Sequence, residues 1–99
     1  MEEPMEKEKT IERICRMERY FDRVQEAVKG TTGALEDPEI REMQEELIRY
    51  YENGQWLADY QRDERGELPP GLKRGVLSED GLYNLLGELA ERKNTPSVL

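Results

Sequence analysis

The side chains of this chain that could do chemistry are carboxylates and aromatics, for there is no histidine among its 99 residues. That absence removes the commonest general base, most zinc and iron sites, and the usual hydrolase triads. Asp59 and Asp63 lie one helical turn apart, so a helix projects both from one face, with Glu64 and Glu67 near them. Oxygen-only clusters suit Mg²⁺, Mn²⁺ or Ca²⁺, which makes Asp59 and Asp63 the candidate metal residues. The bland reading of these acids is preferred. In a chain with 23 Asp and Glu such spacings arise by chance. Solvated acids pairing with Arg41, Arg49 or Arg62 explain them equally. No catalytic residue and no cofactor is therefore assigned. Asp59-x-x-x-Asp63-x-x-Gly66 is not a calcium loop, because it lacks the alternating oxygen ligands and the distal bidentate Glu.

Glu42-x-x-Glu45, followed at a distance by Glu64-x-x-Glu67, loosely resembles the paired acidic motifs of the all-α nucleotide pyrophosphatases. This supports only an alternative, a metal-dependent enzyme or nucleotide-binding protein using an acidic cluster. Cys15 lies between Ile14 and Arg16, with neither a histidine nor a helix N-terminus beside it. It reads as a small packing residue. Trp56, Tyr60 and Tyr83 permit two readings. They fill a small core, as aromatics do. Or part of the set lines a groove with Asp59, Asp63, Lys73 and Arg74 around it, the residue types of binding hot spots. Gly54, Gly66, Gly75 and Gly81 read as turn and close-packing devices, since none opens a phosphate-binding loop before a helix.

These residues need elements to position them. From about Met5 to Lys29 the apolar residues Ile11, Ile14, Met17, Phe21, Val24 and Val28 step by three and four, one face of a helix. Gly30-Thr31-Thr32-Gly33 is a turn or loop. Asp37 caps a second helix, with Pro38 at its first position and Glu39 at the positive end of its dipole. Ile40, Met43, Leu47 and Tyr50/Tyr51 follow in step, and Asn53-Gly54 closes it. The two helices read as an antiparallel hairpin. Trp56, Leu57 and Tyr60 predict a short helix over about 55–63, ended by Arg65-Gly66. Leu68-Pro69-Pro70-Gly71-Leu72 is an extended crossing, pinned by Leu68, Leu72, Val76 and Leu77. Ser78 caps a last helix with Glu79 and Asp80 in its first turn and Leu82, Leu85, Leu86 and Leu89 as its buried stripe. Residues 1–4 and 94–99 are expected to fray.

The whole is expected to be one all-α domain over 1–99, with about twenty core side chains and marginal stability as a monomer. Net charge is −8, and residues 31–70 carry eleven acids against four bases. That field repels a nucleic-acid duplex and an anionic membrane, so neither is expected as a partner. One cysteine excludes an internal disulfide, no signal peptide is expected, and no stretch is apolar enough to span a bilayer. The expected address is the cytoplasm.

Tyr50-Tyr51-x-x-Gly54-x-Trp56-x-x-Asp59-Tyr60, then Gly66-x-Leu68-Pro69, then Leu72-Lys73-Arg74-Gly75-Val76-Leu77-Ser78-Glu79-Asp80-x-Leu82-Tyr83-x-Leu85-Leu86, resembles the small bacterial domain-of-unknown-function family DUF4298. The resemblance extends back to about Ile11. It implies a short, cytoplasmic, mainly helical bacterial protein and brings no activity, cofactor or site residue. The reading preferred from the residues is a non-catalytic protein-interaction module, binding a partner protein or a second copy through an acidic, aromatic-lined surface.

Overall fold

A computed structural model describes residues 3–30, 32–78 and 80–94. The protein is all-α. Among the described residues four helices run in order: α1 (Glu3–Lys29), α2 (Pro38–Glu52), α3 (Gln55–Glu64) and α4 (Gly81–Asn94). Short 3-10 turns at Thr32–Glu36 and Gly75–Leu77 join them. The first of these occupies part of what reads in sequence as a plain loop.

The apolar stripes point inward as their spacing requires. Ile14, Met17, Phe21 and Val24 of α1, Ile40, Leu47 and Tyr50 of α2, Trp56 of α3, and Leu82, Leu85 and Leu89 of α4 share one core. Leu68, Val76 and Leu77 add the crossing segment to it, while Leu72 packs at its edge. Leu57 is the exception to the expected pattern. It is 50% exposed, and the inward face of α3 carries Trp56 and Asp59 instead.

Helix boundaries follow from local chemistry. The Asp37 carboxylate accepts from the Glu39 N–H at 2.8 Å, and Pro38 opens α2. Gly54, at φ 90°, turns the chain from α2 into α3, a left-handed conformation that a Cβ would disfavour. The Asn53 side chain then accepts from the Gln55 N–H at 3.0 Å and caps α3. At the far end of α3, the Gly66 N–H bonds the Asp63 carbonyl and the Glu67 N–H bonds the Arg62 carbonyl. With Gly66 at φ 74° this is a Schellman closure.

One expectation needs correction. The last helix starts at Gly81, so Asp80 lies before its first turn. The Ser78 hydroxyl caps that helix by accepting from the Gly81 N–H at 3.1 Å, and it also donates to the Gly75 carbonyl at 2.8 Å. Glu79, expected in that turn, lies outside the described residues, as does Thr31 of the expected loop. Of the segments expected to fray, 1–2 and 95–99 also lie outside, whereas Glu3, Pro4 and Asn94 are helical.

Candidate functional site

Asp59 is 0% exposed, the most enclosed polar side chain described. Arg13 of α1 donates to it twice, Nε to Oδ2 at 3.0 Å and Nη2 to Oδ1 at 2.7 Å. The Tyr50 hydroxyl of α2 donates to Oδ2 at 2.7 Å. Arg62, one turn further along α3, adds a contact of 3.4 Å to Oδ1. A carboxylate has about four lone-pair sites, and four donors fill them. Asp59 thus ties three helices together and has no acceptor site left for a cation. The hydrogen bond to Asp59 outweighs desolvation and raises the pKa of the Arg13 guanidinium. Burial, then the hydrogen bond to Asp59, push the Tyr50 hydroxyl up, which keeps it a donor.

A second polar pin lies on the next turns of α1. Glu18 is buried, and its Oε1 accepts from the Val76 N–H at 2.8 Å. A Cβ built on Gly75 would stand 3.0 Å from Glu18 Oε2, so glycine lets the turn approach that carboxylate. The Trp56 indole N–H donates to the Val76 carbonyl at 2.8 Å. One residue of the crossing is therefore held through both of its backbone polar groups, from α1 and from α3.

The remaining candidates fall into place around these pins. Arg74 fastens the crossing segment: it donates to Asp63, to the Pro69 carbonyl, and through Nε to the Leu72 carbonyl at 3.1 Å. Asp63 is engaged by that guanidinium, while Asp59 is engaged by Arg13. Lys73 is exposed. Glu42, Glu45, Glu64 and Glu67 are exposed as well, and Glu67 pairs with Arg65 at 2.8 Å. Among the described residues, no three His, Cys, Asp or Glu side chains converge as a metal site. The expected groove bordered by Asp59, Lys73 and Arg74 is therefore corrected on one point. Asp59 is interior and cannot border a surface.

The aromatics form a connected set around Trp56. Tyr60 stacks on Trp56 with ring centroids 5.1 Å apart and planes 16° apart. Tyr51 tilts against Trp56 at 5.2 Å, and Tyr83 lies 6.5 Å from Tyr51. Trp56 is 9% exposed and Tyr83 is 63% exposed. Tyr51 and Tyr83 border an open groove of about 740 Å³ between α2 and α4. Ile48, Leu86, Gly87 and Ala90 complete its apolar lining, and Glu52, Glu88 and Glu91 add carboxylates.

Arg13, Glu18, Tyr50 and the α2–α4 groove were not legible as site features from sequence. One signal was available for the two buried acids. Asp59 lies on the face of Trp56 and Tyr60, and Glu18 lies between Ile14 and Phe21 on the stripe of α1. An acid on an apolar face implies a buried partner.

An all-helical chain built on these pins has a family. The chain belongs to the family described as Domain of unknown function (DUF4298), whose model matches residues 14–94. That span contains Glu18, Tyr50, Trp56, Asp59, Gly75 and Val76, and stops one residue short of Arg13. No curated protein and no solved structure matches the chain. No described helix is long and apolar enough to cross a membrane.

Proposed function

We propose that the chain is a non-catalytic protein-interaction module, acting in the bacterial cytoplasm. The observation that carries this reading is the exposure of Tyr83 on an apolar groove while Asp59 is consumed inside the fold. A tyrosine left 63% exposed beside Tyr51 is the amphipathic, low-entropy surface that partner proteins bury. The reduced, half-buried Cys15 suits the cytoplasmic setting.

Cross-linking mass spectrometry of the full chain in its source cells tests the reading. Links from the Tyr83 side of α4 to another protein, lost in Tyr83→Ala, are expected. A rise of several degrees in melting temperature with Mg²⁺, Mn²⁺, Ca²⁺ or a nucleotide would instead support the acidic-cluster alternative.

A further inference from the structure

We infer that the groove between α2 and α4 receives a basic amphipathic helix of a partner protein; this rests on the interaction-module reading and names its surface and occupant. Three features of the groove select that occupant.

The first is shape. On α4 the lining runs from Tyr83 to Glu91, about 12 Å of helix at 1.5 Å per residue, the length of two to three turns. Gly87 stands in the middle of it. Glycine weakens a helix interior, and here nothing lies within 4 Å of the place a Cβ would take. The fold itself therefore does not require glycine at this position, unlike Gly75 against Glu18 and Gly81 against Phe21. A bare backbone flanked by Ala90 lets another helix axis come close.

The second is secondary structure. Among the described residues there is no strand, so no sheet edge exists for a partner strand to extend. Helix-in-groove docking is the mode the elements permit. Gly87, Glu88 and Ala90 are exposed, so the groove is too open to enclose a small molecule.

The third is charge. Glu52, Glu88 and Glu91 are the charged residues among the described lining; Glu88 and Glu91 already interact within the chain, and Glu52 is the exposed carboxylate on the α2 side. The whole chain carries −8. A second copy is disfavoured, because two chains of net charge −8 repel each other. A partner helix with an apolar stripe edged by Lys and Arg suits the floor, the Glu52 side of the border and the net charge of the chain.

The test is selection of a displayed library of randomised helical peptides against the full chain, followed by binding measurements on Gly87→Leu and Glu52→Lys. Leucine at 87 fills the groove and favours the helix, so this variant keeps its helical circular dichroism and melts no lower than the parent. Enriched peptides are expected to repeat apolar residues every three or four positions with Lys or Arg beside them. Gly87→Leu is expected to weaken them at least tenfold and Glu52→Lys several-fold, and added salt to weaken them further. Acidic or uncharged winners, or basic ones indifferent to both variants, would overturn the groove assignment and leave the module reading intact. An empty selection would also overturn it, with the module reading decided separately by the cross-linking. A parent dimer in sedimentation velocity that Gly87→Leu dissolves would overturn it in favour of a second copy.

Discussion

The cluster around Asp59 and the groove around Gly87 are opposites. In the cluster a charged residue is entirely enclosed, and every acceptor site meets a donor from another helix or the next turn. In the groove, Leu86, Ala90 and two tyrosines lie along an open surface with carboxylates at its border. The lesson is that reactive-looking residue types mark where the fold is pinned. Bland types mark where the surface is unfinished. Charge buried with its partners resists change because removing one partner strands another. Apolar surface left open is stabilised only when something covers it.

The largest expected effect is on the cluster. Asp59→Ala strands a guanidinium and a hydroxyl, and removing one member of a buried pair costs about 3–5 kcal/mol. Against the marginal stability of a 99-residue domain, that is expected to leave much of the chain unfolded at 37 °C, read by circular dichroism and urea titration. Melting unchanged within a degree or two would erase the contrast between the two regions.

Next comes the second pin. Glu18→Ala orphans the Val76 N–H, and an unsatisfied buried donor costs about 1–3 kcal/mol. Glu18→Gln keeps an acceptor and is expected to lose less. Equal losses would mean that charge, and not the hydrogen bond, holds the turn at Gly75–Leu77.

Tyr50→Phe is expected to cost about 1.5–3 kcal/mol at neutral pH, the value of a hydrogen bond to a charged group. Its pH signature is more diagnostic. The folded hydroxyl has its pKa raised above the ordinary tyrosine value of 10.0, so the folded chain holds this proton more tightly than the unfolded chain. The stability it contributes is complete below pH 10.0 and is lost as pH rises above that value towards the folded pKa. The parent should therefore lose stability between pH 9 and 11 faster than Tyr50→Phe does, in urea titrations run at each pH. Parallel curves would contradict the buried hydrogen bond.

The smallest effect lies in the groove and has the opposite sign. Gly87→Ala removes a helix-interior glycine where a Cβ has room, and is expected to stabilise by about 1 kcal/mol. Gly81→Ala is the control. Its Cβ would meet Ser78 Oγ at 2.3 Å and Phe21 Cζ at 3.2 Å, so it is expected to destabilise. A calorimetric pair of melts separates a glycine the fold needs from one it does not.

Much of the fold was legible in advance because helices announce themselves locally. The three-and-four spacing of Ile14, Met17, Phe21 and Val24, the Asp37-Pro38 start and the Asn53-Gly54 stop all act within a few residues. The pins were hidden because their partners are remote: Arg13 and Asp59 are 46 positions apart, and Glu18 and Val76 are 58 apart. Periodicity cannot report which arginine crosses to which acid. The carboxylate pair that suggested a metal was therefore divided between two guanidiniums. The groove was hidden for a different reason. It lies between α2 and α4, and nothing at Gly87 distinguishes an open side from a buried one in the sequence.

The most direct measurement is a double-mutant cycle on Arg13→Met and Asp59→Leu by urea unfolding. If Asp59 is a structural pivot held by Arg13, each single variant leaves one charge of this pair without the other, and the double variant removes both. The double is then expected to be more stable than the summed singles imply, with a coupling of about 2–3 kcal/mol. Additive losses within about 0.5 kcal/mol would contradict it, and would mean that the two side chains do not hold each other in solution.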